Sequence, residues 1–382
     1  MTAFDKIEYA LNYLNPDNGF DTIFIFNGIY AETMHIVSDT GVWIEGQSRD
    51  SVIINPPGDS ATIGLTGIYC GVDNVRFRYF TLTECGTGVY LLNSDNSRFD
   101  SVSVTYCGNN SNAGIYAQNS DTVYIVGCSF ENNYKAIQFS GCRASYLTLS
   151  VFNNNFNSLF FDSNNFDNFI VENIFSNSLD TALYLSGFNS GLISLNRIFN
   201  NQTNALVLEN CDTNIIRYNK IRNNSGSGIK LQNSDFNYIL ENMISNNLGI
   251  NGVGLYFENS NNNRTGFNRI QSNDSYAVFI GTNCSKDSFA NNNFINFDTG
   301  ILNNSDYQFD FTYNYFNSTD TCVIYSKIRG NYSDKISYIP FRFSQLDTDI
   351  SYDSVVPASI QINSISEDSG KITIQWDTPL LN

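Results

Sequence analysis

The sequence repeats itself, and the repeat constrains what this chain can fold into before any single motif does. The segment GIKLQNSDFNYILENMISNN, opening at Gly228, has close counterparts at Gly88, Gly114, Ala205, Gly254 and Ala277, and looser ones at Gly67, Ala136, Ser158, Ala182 and Gly300. Successive openings lie 21 to 26 residues apart. Each copy runs small residue, apolar, variable, apolar, variable, Asn, Ser or Cys, Asp, and then Asn, variable, Ile or Phe, often closing on another Asn. Alternation with period two over four or five residues predicts a short strand, and the Asn and small residues that follow predict a turn. Two or three such strands cannot bury their own apolar face, so copies must stack, about 4.8 Å apart. The expected fold is all-β: a right-handed parallel β-helix, a solenoid with one repeat per coil.

Stacking turns repeat positions into columns. Asn93, Asn119, Asn210, Asn233, Asn259, Asn283 and Asn304 fall in one; Asn196, Asn219, Asn242 and Asn268 in a second; Asn133, Asn201, Asn224, Asn247 and Asn273 in a third. Each is expected to form a ladder in which an amide donates to the next coil and accepts from the one before. A bond of this kind contributes about 1 kcal/mol net, whereas an unpaired buried amide costs about 1 to 3 kcal/mol, so the columns favour one register. A hydrophobic content of 42%, in phase with the asparagines, excludes a solvated low-complexity tail.

The ends read differently. AFDKIEYALNYL, residues 3–14, places Phe4, Ile7, Leu11 and Leu14 at helical spacing, which suits a helix capping the first coil. Expected boundaries are 1–66 for the cap and first coils (with turns at Asn27-Gly28 and Pro56-Pro57-Gly58), 67–318 for the repeats, 319–356 for a C-terminal cover and linker, and 357–382 for a β-hairpin. That hairpin, with Trp376 and Pro379 after its second strand, resembles the opening of a fibronectin type III module. From about Ile7 to Asn317 the chain resembles the pectate-lyase-like superfamily of right-handed parallel β-helices. Its Asn-x-Ile-x-x-Asn coils, NKIRNN and NRIQSN, resemble the NosD-like repeats of bacterial and archaeal surface proteins. The resemblance implies the fold; that superfamily spans lyases, hydrolases, tailspikes, adhesins and wall components, so activity must be argued from residues.

Charge narrows the partners. A net charge of −17 disfavours nucleic acid and anionic membranes. MTAFDKIEYALNYLN lacks the charge order and apolar core of a signal peptide, and no membrane insertion is expected. One histidine, His35, and three methionines leave no Ser/His/Asp triad, no histidine metal cluster and no copper role, and His35 reads as structural. Asp95, Asp121, Asp212 and Asp235 are expected to cap one turn through local Asx bonds.

Resemblance to the lyases would imply a calcium-binding carboxylate cluster and a basic proton abstractor, with Asp212, Asp235, Glu209, Glu241, Glu258, Arg217, Lys220 and Arg222 as candidates. A glycosidase needs two carboxylates about 5 to 9.5 Å apart. Glu209 and Glu258 share an outward position two coils, roughly 9.6 Å, apart. With Lys220 they form the enzymatic alternative.

A column of rings says more. Two residues after their openings, on the outward phase of a strand, stand Tyr69, Tyr90, Tyr116, Phe160, Tyr184, Tyr256 and Phe279. Outward rings at every coil could stack on the sugars of a glycan or bury against a second copy, unless a loop covers them. Cys142, Cys211 and Cys284 replace the turn serine. Cys85 and Cys107 take the closing position on adjacent coils, within reach of a disulfide if the protein is extracellular and reduced if it is cytosolic. No Cys-x-x-Cys suggests structural zinc. Sequons stand at Asn201, Asn263 and Asn317.

The sequence thus predicts a non-enzymatic extracellular structural or adhesive β-helix of a cell surface, sheath or fibre. Its expected partners are its own copies, a polysaccharide, or both, and it needs no cofactor. The alternative is a polysaccharide lyase, which would add calcium, a glycoside hydrolase, or a viral tailspike-type glycan-binding protein.

Overall fold

Three-residue strands with an apolar middle residue can bury only that residue; such strands make up most of two sheets, while many strands of the third run to four to six residues and bury two or more. The computed structural model describes residues 4–14, 21–37, 41–57, 64–109, 112–249 and 252–346, and the backbone of 362–368 and 371–376. A representative coil has strands Ile215–Arg217, Lys220–Arg222 and Ile229–Gln232; the next has Tyr238–Leu240, Met243–Ser245 and Leu255–Glu258. The two pair in parallel register, Ile215 with Tyr238, Lys220 with Met243 and Ile229 with Leu255. Ile216, Ile221, Ile239 and Ile244 point inward and are fully buried. Repetition gives three parallel sheets of 14, 12 and 13 strands, here sheets 1, 2 and 3 in the order each coil visits them. The protein is a right-handed parallel β-helix.

Corners this tight need backbone that L-residues rarely adopt, and the central coils have four of them each. In one coil Asn210, Thr213, Tyr218 and Asn223 have φ of 53°, 60°, 57° and 56°; in the next Asn233, Phe236, Glu241 and Asn246 have 49°, 58°, 55° and 53°. Asparagine enters the left-handed region more readily than other side chains apart from glycine, which explains its abundance at two of the four corners. The residue after each corner is buried: Cys211, Asn214, Asn219 and Asn224, then Ser234, Asn237, Asn242 and Asn247. Asn-Asn doublets therefore combine two jobs, an exposed corner and a buried rung.

The buried rungs form ladders. Oδ1 of Asn242 accepts both the backbone N–H and the side-chain amide of Asn219, at 3.0 and 2.9 Å. The same double bond joins Asn196 to Asn219 and Asn242 to Asn268. This ladder continues to Asn173 at one end and to Asn292 and Asn314 at the other. Asn201, Asn224, Asn247 and Asn273 form another, while Asn133 pairs with Asn155. Asn214, Asn237, Asn263 and Asp287 form a ladder that sequence reasoning missed.

Two sequence expectations need correction. Asn93, Asn119, Asn210, Asn233 and Asn259 are not a buried amide ladder; they are left-handed corners whose side chains lie at the surface. What holds that column is backbone, for example Asn210 N–H to Gln232 O at 3.0 Å. Asn283 and Asn259 add a side-chain amide bond to it, at 3.0 Å. The aspartates do not cap their own turn either. Oδ1 of Asp95, Asp121, Asp212 and Asp235 accepts the backbone N–H of Asp121, Arg143, Asp235 and Asn261, each one coil on, at 2.7, 2.8, 2.7 and 2.6 Å.

At the start, the helix is Ile7–Leu11, shorter than residues 3–14, and buries Ile7 and Leu11 in the common core. Coiling does not stop at residue 318. Helix Thr321–Ser326 leads to strands Ile328–Arg329 and Ile336–Ser337, which extend sheets 3 and 1. Residues 347–382 form a separate unit whose described part is an antiparallel hairpin, Ile362–Asp368 with Lys371–Trp376. The last part of the expected cover and linker 319–356, residues 347–356, together with Gly58 and Pro379, lies outside the described residues. No helix among the described residues is long and apolar enough to cross a membrane.

Candidate functional site on the outer face of sheet 3

Strand register puts one line of outward side chains along sheet 3: His35, Tyr69, Tyr90, Tyr116, Gln138, Phe160, Tyr184, Val207, Lys230, Tyr256 and Phe279. All seven aromatic residues are half-buried. Their rings do not, however, present their faces to solvent. Tyr90 stacks on Tyr116 at 5.1 Å, Phe160 on Tyr184 at 5.2 Å and Tyr256 on Phe279 at 4.5 Å, with planes within 15° of parallel. Coil spacing of about 4.8 Å is close to the preferred separation of offset-stacked rings, so within each of these pairs one ring covers the other, while Tyr69 meets Tyr90 edge-on at 5.7 Å. The face is a ribbon of ring edges and hydroxyls, not a stack of open sugar platforms. His35 is exposed at its first rung, 6.1 Å from Tyr69.

A second line, two residues further along each strand, carries the polar partners. Gln118 Oε1 accepts the Tyr90 hydroxyl at 2.6 Å and Glu258 Oε2 accepts that of Tyr256 at 3.1 Å, while Tyr184 donates to Glu209 in a short bond. Burial and the bond to Glu209 push Tyr184 up to about 12; burial and the charge of Glu258 do the same for Tyr256. These phenols are donors at neutral pH, not bases. Glu258 also accepts from Thr282 at 3.1 Å. Glu209 and Glu258 stand in one line with Gln232 between them, each already engaged by a tyrosine.

The aromatic line breaks twice. At Gln138, Lys135 Nζ lies 4.1 Å from the Phe160 ring centroid and donates to Gln138 Oε1 at 3.0 Å; Gln138 Nε2 donates to Asp162 Oδ2 at 2.6 Å. Burial lowers the Lys135 pKa, opposed by the charge of Asp162, whose Oδ1 is buried without a partner. At Val207 and Lys230, the Lys230 ammonium sits 5.1 Å above Tyr256, between Glu209 and Glu258 along the face. Sequence reasoning missed Lys135, Asp162 and Lys230. Aligning the copy at Gly228 on its neighbours would have put Lys230 in the ring column.

Lys220 does not join this site. Its strand belongs to sheet 2, in register with Arg197 and Met243, around a corner from Glu209 and Glu258. Arg222 shares that strand, Arg217 is on sheet 1, and Asp212 and Asp235 sit at the turn after sheet 3, so the lyase candidates spread around the coil. Among the described residues no three His, Cys, Asp or Glu side chains gather as a metal site. Cys85 and Cys107 are buried thiols in contact; the bond to Cys107 and burial push the Cys85 thiol up. The sequons at Asn201 and Asn263 are buried ladder rungs, whereas Asn317 is exposed.

The family model for the periplasmic copper-binding protein NosD matches residues 71–250. Those coils are similar to the repeats of that family. Copper, however, wants imidazole and sulfur donors. In these repeats and their flanks His35 is the one imidazole, on the outer face of sheet 3; Met34 faces the core, Met243 lies half-buried on sheet 2, away from His35, and seven of eight cysteines are buried. That donor set does not fit the family's metal. No curated protein sequence matches the chain. Among solved structures it is similar to the Dettilon tailspike protein gp208 at 14% identity and TM-score 0.54, covering 72% of this chain and 60% of that one. It is similar to PfbA, a surface adhesin of Streptococcus pneumoniae, at 14% and 0.53, covering 96% and 92%. The periplasmic alginate epimerase AlgG, in a point-mutant form, gives 13% and 0.51, covering 83% and 78%. Identities this low establish a shared fold, the right-handed parallel β-helix, and nothing finer.

Proposed function

We propose that this chain is a non-enzymatic surface or periplasmic β-helix that holds a polysaccharide lengthwise along sheet 3. The observation that carries the reading is the line of half-buried rings from Tyr69 to Phe279, interrupted at the buried Gln138 and Val207. A glycan lying along the axis would meet ring edges, phenol oxygens and carboxylates, and an ammonium group at Lys135 and at Lys230, without any group moving. Adhesive and glycan-acting proteins among its structural neighbours support the reading, as does the periplasmic setting of the NosD family. Against catalysis stand the occupied carboxylates Glu209 and Glu258 and the protonated phenols. The test is affinity electrophoresis through neutral and acidic polysaccharides, with Tyr184→Ala and Tyr256→Ala. Retardation that falls several-fold in the variants is expected; no retardation on any glycan, or cleavage of one, would sink the proposal.

One observation favours self-association as well. The outward line of sheet 1 is Tyr124, Tyr146, Phe169, Leu192, Ile215 and Tyr238, six apolar rungs in register, with Tyr146, Ile215 and Tyr238 more than a third exposed. A contiguous apolar strip of this kind suits lateral contact with a second copy. Light scattering across concentration, with Ile215→Asp as control, decides it: a strictly monomeric wild type excludes it.

A further inference from the structure

The excess of acid over base makes an unpaired cluster of cations informative, and sheet 1 has one. Past Tyr238 its outward line continues to Arg264 and Ser288, while the adjacent corner column runs Phe236, Asn262, Lys286. These six residues line an open groove of about 320 Å³. Phe236 is 52% exposed and, unlike the rings of sheet 3, stacks on no other aromatic residue among the described ones. The Arg264 guanidinium lies 5.7 Å from the Tyr238 ring centroid. Arg264 and Lys286 are exposed, and neither enters an ion pair among the described residues. The nearest carboxylates in sequence form no ion pair with either cation: Asp235 Oδ1 accepts Asn261 N–H at 2.6 Å, and Asp287 is buried beneath the surface with Asn263 on its Oδ1 at 2.8 Å.

We infer that this groove binds one sugar residue bearing an oxyanion, a carboxylate or a sulfate. Phe236 offers the open ring face that sheet 3 lacks, against which an apolar sugar face packs. Arg264 supplies a planar fork matched to a two-oxygen anion, and Lys286, one coil further on, supplies a second positive charge. Asn262 and Ser288 provide neutral donors and acceptors for hydroxyls. Two uncompensated cations beside bare rings give selectivity for charge over shape, since a neutral sugar would leave both cations unanswered. Short oligosaccharides fit the site better than polyanions, which the net charge of −17 repels. The site lies on a different sheet from the proposed glycan ribbon and stands or falls without it.

The experiment is titration calorimetry of the full chain with trigalacturonate, its methyl ester, and a sulfated galactose disaccharide. Binding of the carboxylated or the sulfated probe, but not of the ester, is expected; which of the two binds assigns the anion. Arg264→Gln with Lys286→Gln should weaken it at least about tenfold, and Phe236→Ala several-fold, with unfolding midpoints unchanged because all three side chains are exposed. Tyr184→Ala, on sheet 3, should leave this binding intact and affect only the polysaccharide ribbon. No binding of either anionic probe, equal binding of the ester, or a double variant that binds like wild type would overturn the inference.

Discussion

Asn263 gives both its backbone N–H and its side-chain amide to Oδ1 of Asp287, at 2.8 and 3.0 Å. Earlier in the same ladder the acceptor is always an amide, Asn237 for Asn214 and Asn263 for Asn237. A carboxylate can copy the acceptor but, ionised, not the donor, and Oδ2 of Asp287 is buried without a partner. Burial pushes Asp287 up to about 7, the charge of Asp235 adds to this, and the two bonds from Asn263 oppose it.

Stability should therefore depend on pH with a definite sign. The folded-state value of about 7 lies above the ordinary 3.8, so the folded chain keeps a proton that the unfolded chain releases. This contribution is fully present below about pH 4 and is lost as pH rises through about 7. A shift of this size bounds the loss at roughly 4 kcal/mol. Urea unfolding at about pH 5 and about pH 8 should show the wild type weakening and Asp287→Asn nearly flat. Parallel behaviour of the two proteins would mean that another group titrates.

Asparagine at the corner and asparagine on the rung should respond oppositely to one substitution. Asn210 has φ 53° and an exposed side chain, so Asn210→Gly should change stability by about 0.5 kcal/mol or less. Asn219 is fully buried and its Oδ1 serves two donors of Asn196, each at 3.0 Å. Asn219→Gly orphans the backbone N–H, at about 1 to 3 kcal/mol, and leaves the Asn196 amide only its bond to Ile170 O, at 2.8 Å. Denaturant midpoints of the two variants measure the contrast directly, and equal losses would contradict the division of roles.

That contrast also marks what the sequence could tell. Period and register were legible because Ile216, Ile221 and their equivalents recur in phase with the asparagines, and the ladder of Asn196, Asn219, Asn242 and Asn268 follows from that phase. Corner and rung were not separable, because asparagine suits both left-handed backbone and stacked amides, and only burial distinguishes Asn210 from Asn219. Nor could the outward phase of Tyr90 and Tyr116 reveal that they lie face to face, since side-chain torsion, not strand register, sets the ring plane. Lys220 and Glu209 looked like neighbours because sequence distance hides the corner between sheets.

That corner gives a simple discriminating pair. Lys230 stands in the aromatic line beside Tyr256, and Lys220 does not. Lys230→Ala should lower retention on whichever polysaccharide sheet 3 binds by roughly three- to tenfold, about 0.7 to 1.4 kcal/mol. Lys220→Ala should match the wild type. If Lys220→Ala were the more damaging, the contact face would be sheet 2.

Thiol chemistry reads both the burial pattern and the redox state of the chain. Of eight cysteines only Cys322 is exposed. Burial pushes Cys128, Cys211 and Cys284 up to about 12 and Cys142 up to about 11, which starves each of the thiolate that alkylating reagents attack. A folded sample should therefore react at one site, Cys322, and the rest only on denaturation. If Cys85 and Cys107 are oxidised in the native compartment, denatured protein isolated without reductant will show two thiols fewer than the reduced control, both mapping to that pair. Full reactivity of the denatured chain instead would establish stacked thiols held by packing alone, and rapid labelling of Cys211 or Cys284 in the folded state would contradict the closed core beneath the turns.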